Sequence, residues 1–210
     1  MHIPQCETSD LDILDFDPAL QAALLPSNEY DAARWLFVPN HYEEYRYILG
    51  TRGENPLICF GINPSTAAPD QLDNTLKSAE RIALYNGFDS FIMLNIYAQR
   101  ATNPDDMEQN FNKHLHTQNK KAFAYALSLC KSTPVVWAAW GNIVEKRKYL
   151  NLCLREMIAL GLENSVRWVS AGAISKKGHP HHPLYLKKDS PLDAFDMESY
   201  YRQICAASAV

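Results

Sequence analysis

Short apolar runs alternate with amphipathic stretches along most of this chain, and their order predicts the fold. Leu57-Ile58-Cys59-Phe60 is long enough only for a buried strand, and Gly61 ends it. Asp73 or Asn74 can cap a helix whose Leu76, Ala79, Ile82 and Ala83 recur at helical spacing, with Gly87 as its stop. Phe91-Ile92-Met93-Leu94 reads as the next strand. A helix from about Glu108 to Cys130 follows, with Phe111, Leu115, Phe123, Ala126 and Leu127 on one side. Pro134 opens a strand over Val135–Trp140, and Gly141-Asn142 starts a helix that ends near Gly161. Val166–Val169 is the fourth strand, and Tyr200–Cys205 belongs to a closing helix. Upstream, aromatic and β-branched residues alternate with polar ones from Arg34 to Tyr47, which suggests an antiparallel strand pair. Residues 1–30 read as an irregular acidic arm.

Strand and helix alternating four times imply right-handed βαβ units and a parallel sheet covered on both faces. The expected fold class is therefore α/β, a three-layer αβα sandwich around a mainly parallel four-stranded sheet. Residues 31–210 would form a single domain, within the size that one core can fill. In such sheets ligands bind outside the carboxyl ends of the strands. Here the segments at those ends are Gly61–Thr66, Asn95–Arg100, Trp140–Asn142 and Ala173–Leu184, which also hold unusual polar, Gly and Pro content.

Composition narrows the setting. The start of the chain lacks the basic and apolar regions of a signal peptide, and the longest apolar run, Val135–Trp140, is too short to cross a bilayer. Five cysteines (Cys6, Cys59, Cys130, Cys153, Cys205) are scattered and never spaced as CxxC, so reduced thiols in the cytoplasm are expected, with no membrane partner. The net charge of −4 is uneven. Residues 1–30 hold six acids and no Lys or Arg, so the remainder of the chain is net +2. Lys146–Lys148 read as a solvated face, whereas Lys176, Lys177, Lys187 and Lys188 flank a histidine loop where they could meet phosphates.

Each strand-end segment carries candidate chemistry. In Gly61-Ile62-Asn63-Pro64-Ser65, Gly61 permits close approach and Pro64 stiffens the turn that holds Asn63. A fixed amide can orient water or read a base edge, although it cannot abstract a proton; turn chemistry with a Ser65 or Thr66 cap is the alternative. Asn95 lies at a strand end where Asn is disfavoured, so it either meets a base or ties two loops together. Arg100 and Thr102 would support that loop or meet a phosphate. Trp140-Gly141-Asn142 opens a helix whose free N–H groups attract anions, unless the small residue serves packing alone. Gly178-His179-Pro180-His181-His182-Pro183-Leu184 holds three histidines, but no Cys or acid at ligand spacing, so no metal and no cofactor is expected. A His held by an adjacent Pro can instead donate to charge developing on a leaving base, the other possibility being a plain surface loop.

The order of these motifs resembles the uracil-DNA-glycosylase-like superfamily. There a strand ends in Gly-x-Asp/Asn-Pro, the next in Leu-Asn and a later one in Trp-Gly, and the last is followed by a His-Pro loop. Here those are Gly61-Ile62-Asn63-Pro64, Leu94-Asn95, Trp140-Gly141 and His182-Pro183-Leu184. The Asn-Pro form is similar to the mismatch-specific branch. The chain also resembles a family of uncharacterised bacterial and phage proteins of that superfamily. That pattern is Asn63-Pro64-Ser65-Thr66-Ala67, Asp73-Asn74-Thr75, Asn95, Ala139-Trp140-Gly141 and Gly178-x-Pro180-x-His182-Pro183-Leu184-Tyr185-Leu186. The resemblance implies that Asn63 positions the attacking water, Asn95 reads the base and His182, or His179 in its place, stabilises the departing base. It implies further contacts from Gly61, Ile62, Pro64, Ser65, Arg100, Trp140, Gly141 and Leu184, with Tyr97 as the stacking aromatic and Leu184-Tyr185-Leu186 as a wedge. The chain departs from the superfamily in having Asn63 where the most active members place a general base, and in having no aromatic between Ser65 and Leu76.

Two functions follow as expectations. One is N-glycosidic hydrolysis of a modified base, in a nucleotide or in nucleic acid as a single-stranded or flipped base. The other is a non-catalytic pocket for a nucleobase or nucleotide. In either case the acidic arm could cover or regulate the site.

Overall fold

The computed structural model describes residues 1–207. Its centre is a single sheet of seven strands: β1 (Trp35–Val38), β2 (Ile48–Thr51), β3 (Pro56–Gly61), β4 (Ser90–Asn95), β5 (Val135–Ala138), β6 (Arg167–Ser170) and β7 (Asp193–Ala194). Their order across the sheet is β1-β2-β4-β3-β5-β6-β7. The four strands expected from the apolar runs form its parallel centre, in the order β4-β3-β5-β6. Their residues are buried along nearly their whole length, as continuous apolar runs covered on both faces should be. The expectation of four strands is corrected by the edges, where β1, β2 and β7 add antiparallel pairings and make the sheet mixed.

Helices cover both faces unevenly. Alternate strand residues Leu57, Cys59, Phe91, Met93 and Trp137 pack with Leu76, Ala79, Ile82 and Ala83 of α2 (Asn74–Tyr85). The residues between them, Ile58, Phe60, Ile92, Leu94 and Val136, face the larger core. That core includes side chains from α1 (Phe16–Ala23), α3 (Lys113–Ser128), α4 (Lys148–Glu163) and α5 (Met197–Ala207).

Four boundaries differ from expectation. Residues 1–30 are not irregular throughout: α1 buries Phe16, Ala19, Leu20 and Ala23 in the core. The first antiparallel pair is β1 with β2, so its second strand begins after Tyr47. The helix expected from Glu108 begins at Lys113, because the Asn112 side chain caps it by accepting from Leu115 N at 3.0 Å. Glu108 instead accepts from the backbone N and hydroxyl of Thr8, which ties the first residues to this side of the sheet. Similarly, Gly141–Glu145 is a 3-10 turn, and α4 starts only at Lys148.

Candidate functional site

The carboxyl ends of β3, β4, β5 and β6 open on one cavity of about 630 Å³. The segment after each of the four contributes to its lining: Gly61–Thr66, Asn95 with Ala101 and Thr102, Ile143, and His182 with Leu184 and Tyr185. Helix α2 supplies its first turn, Asn74–Leu76, together with its cap Asp73. A space of this size accommodates a nucleoside or nucleotide.

The loop after β3 is pinned by backbone bonds. Ile96 N and Tyr97 N donate to Gly61 O and Ile62 O, each at 2.9 Å. Asn63 Nδ2 donates to Ala101 O at 2.7 Å and to Pro64 O at 3.0 Å. Both N–H bonds of this amide are thus spent on carbonyls, and its oxygen is left to accept. Ser65 Oγ lies 2.9 Å from Thr102 Oγ1 at the same rim.

Asn95 differs from Asn63. It is 1% exposed and lines the cavity, yet neither Oδ1 nor Nδ2 has a hydrogen-bond partner. Buried amides are almost always paired, so an orphaned one at a cavity points to a ligand that presents both a donor and an acceptor. Gly61 makes the room, since a Cβ there would stand 3.0 Å from Asn95 Oδ1 and 2.6 Å from Met93 Cε.

His182 is oriented by its own turn. Its Nδ1 accepts from Leu184 N at 3.3 Å and so caps the 3-10 turn Pro183–Tyr185. Ser78 of α2 holds that turn by donating to Pro183 O at 2.8 Å. Behind the histidine stands Gly141, whose φ of +63° is left-handed and whose Cβ, if present, would lie 3.5 Å from His182 Cβ. Burial, and then the neighbouring His181, push the His182 imidazole down to about 4, against a weaker opposing pull from Asp73. At neutral pH the ring is therefore uncharged. With Nδ1 accepting, its proton sits on Nε2 as a donor.

Several expected site residues lie elsewhere. His179 is buried between α5 and the 3-10 turn, with Nδ1 2.8 Å from Tyr200 Oη and Nε2 3.2 Å from Glu145 Oε1. Trp140 joins the same network by donating Nε1 to Tyr200 Oη at 3.0 Å. Neither lines the cavity, so the two His-Pro pairs are separated by position: His182 faces the site and His179 braces the fold. Tyr97 is fully buried, donates to Glu108 and packs on Tyr149, away from the cavity lining. The aromatic at the rim is Tyr185, 83% exposed. Gly141 and Arg100 stand behind lining residues rather than among them. The three loop histidines diverge, and among the described residues no group of three or more His, Cys, Asp or Glu could hold a metal ion.

Two lining residues with ionisable side chains, Asp73 and Arg46, carried no site role in the sequence reading. Asp73 was read as a helix cap and as part of the Asp73-Asn74-Thr75 pattern; it is the cap, with Oδ1 accepting from Leu76 N at 2.9 Å, and also the single carboxylate among the lining residues. Arg46 lay in a stretch read as strand. It is 0% exposed, and its Nη1 donates to Ala67 O at 3.1 Å. Arg100 donates to the same carbonyl at 3.1 Å, and also to Ser65 O. The Nε and Nη2 of both arginines have no hydrogen-bond partner. Burial, together with the neighbouring Arg100, pushes the Arg46 guanidinium down to about 9, and burial pushes Arg100 down to about 10. Both stay cationic at neutral pH.

No helix among the described residues is long and apolar enough to cross a membrane. No curated protein and no solved structure matches the chain. Residues 46–184 match the family model described as "Protein of unknown function (DUF1643)", a span that begins at Arg46 and takes in every lining residue except Met1 and Tyr185. That span exceeds half of the 210 residues, and the chain belongs to this family.

Proposed function

We propose that the cavity binds a nucleobase carried on a sugar and that the chain hydrolyses the N-glycosidic bond. The observation that carries this reading is the unpartnered amide of Asn95 at the cavity. A base edge offers the paired donor and acceptor that this amide lacks. Because Asn95 is 1% exposed, a base reaches it as a flexible neighbour yields, and Met93 is the unbranched side chain placed to do so. The resemblance to the uracil-DNA-glycosylase-like superfamily set out above supports the same reading and the corresponding fold.

In the proposed reaction a water held by Asn63 Oδ1 attacks the anomeric carbon as the carbon–nitrogen bond breaks. The base leaves with the bonding pair, and the neutral His182 Nε2–H stabilises the charge it gains. The water's proton passes to Asp73, since Asn63 cannot take it. The exposed Tyr185 stands at the rim, where it would stack on a base or enter a strand. We place this work in the cytoplasm, on five thiols that form no disulfide.

The test is base release from single- and double-stranded oligonucleotides carrying modified bases, beside titration with nucleosides. His182→Ala should cost about 10²–10³ in rate and leave binding largely intact, because the donor acts as charge develops. Asp73→Asn keeps a good helix cap, so lost turnover at unchanged stability would assign it the proton. Release that survives His182→Ala would refute the role of this loop. A second reading, binding without turnover, is favoured by the amide at Asn63, and it predicts nucleoside binding with no release from any substrate.

A further inference from the structure

The charges around the cavity do not balance within the chain. Among the described residues no carboxylate forms an ion pair with Arg46 or Arg100, although both are buried and share Ala67 O as an acceptor. Buried charges are ordinarily paired, and two like charges converging on one carbonyl repel each other. Tyr42 takes up part of the Arg100 charge, its ring 4.2 Å from the guanidinium carbon. Asp73 is the acid whose charge acts on both arginines, but it is one charge against two and also caps α2. His182 contributes no positive or negative charge at neutral pH.

The residues that line the cavity with Arg46 have a consistent chemistry. Ser65, Thr66, Thr75 and Thr102 bring hydroxyls to the cavity lining, and the first turn of the twelve-residue helix α2 presents its positive end there. Guanidinium, hydroxyls and a helix N-terminus are the donors that bind phosphate. That Arg46 lines the cavity with two buried nitrogens unpartnered is the observation independent of the helix.

We propose that the cavity seats a phosphate group against Arg46, with Arg100 behind it reinforcing the positive field. This deepens the nucleobase reading and rests on it for what carries the phosphate. The ligand is then a nucleotide unit, with its base at Asn95 and its phosphate toward Arg46, rather than a free base or nucleoside.

Calorimetric titration of the four deoxynucleosides, their 5′-monophosphates, inorganic phosphate and a short single-stranded oligonucleotide tests this on the full chain. The preferred monophosphate should bind about tenfold tighter than its nucleoside, or more. Arg46→Gln should close most of that gap, and Arg46→Lys should restore part of it, which a packing role would not do. A mononucleotide or an oligonucleotide binding more tightly tells which source supplies the phosphate, and either supports the site. Equal affinity for nucleoside and nucleotide, or a gap that persists in Arg46→Gln, overturns the phosphate site while the nucleobase reading stands. Binding of inorganic phosphate with no response to any nucleoside or nucleotide keeps the phosphate site and overturns the nucleobase reading. If Arg46→Gln does not fold, the wild-type melting temperature decides: phosphate must raise it above chloride at equal ionic strength, and no rise overturns the proposal.

Discussion

Two buried asparagines make opposite predictions for the same substitution. Asn119 is fully buried on α3 and donates Nδ2 to Asn95 O at 2.8 Å and to Ile96 O at 3.4 Å. Asn95 is as deeply buried, but neither end of its amide has a partner, whereas Asn119 lacks one at Oδ1 alone. An unpaired buried polar group costs about 1–3 kcal/mol, whereas a hydrogen bond returns about 1 kcal/mol net. Leucine keeps the branching of asparagine and suits a strand better. Asn95→Leu should therefore range from neutral to about 2 kcal/mol more stable, after some overpacking is offset against the removed amide. Asn119→Leu should lose about 1–3 kcal/mol, because two carbonyls lose their donor. For a domain of this size each kcal/mol moves the melting temperature by roughly 2–4 °C. Urea unfolding followed by tryptophan fluorescence measures both variants, and nucleoside titration on folded Asn95→Leu should show binding lost. A loss above about 1.5 kcal/mol for Asn95→Leu, comparable to Asn119→Leu, would show that the amide supports the fold and would remove the main reason to place a base there.

Two further outcomes follow from the same geometry. Gly61→Ala puts a Cβ 2.6 Å from Met93 Cε and 3.0 Å from Asn95 Oδ1, so the fold should survive with about 1–3 kcal/mol lost while nucleoside affinity falls. Calorimetry showing unchanged affinity would exclude the space beside Gly61 from the site. Burial lowers both His116 and His182 to about 4, well under the unfolded value near 6.5, so the unfolded chain takes up protons first. Stability should be full above about pH 6.5 and fall as the pH drops toward 4, with His116 alone accounting for about 3 kcal/mol. Urea midpoints across that window, with His116→Gln flattening the slope, check the sign.

The parallel centre of the sheet was legible because its strands are apolar on both faces, so no alternation had to be decoded. The runs at 57–60, 91–94 and 166–169 lie within a residue of β3, β4 and β6. The edges were harder. β2 contains Gly50, where a Cβ would stand 2.2 Å from Phe91 O, so a close backbone approach rather than β-propensity selects that residue. Helix α1 was missed although Phe16, Ala19, Leu20 and Ala23 stand at helical spacing, because the surrounding acids and prolines look like loop. Its signal lay in the sequence and was outweighed by composition. For His179 and His182 no local signal exists. Tyr200 and Glu145 claim the first, and the turn at Pro183 orients the second.

The position of the cavity follows from topology, since parallel strands leave their following loops at one edge. What fills that edge does not follow from folding, and several residues there work against it. Asn95 is an unpaired amide at a strand end, Arg46 an unpaired charge below the surface, and Gly61 gives up strand propensity for space. Orphaned polarity alone would not mark a site, because Asn119 Oδ1, Arg155 Nε, two nitrogens of Arg100 and the indole nitrogens of Trp137 and Trp168 are also unpartnered, and none of these residues lines the cavity. An indole is mostly apolar surface, so one unpaired N–H can be outweighed by the burial of the ring. An amide and a guanidinium have no comparable apolar gain. What sets Asn95 and Arg46 apart is that two atoms of each are unpaired and that both residues line the same cavity. A ligand that meets both would supply the partners: one that pairs with an amide at one point and carries negative charge at another.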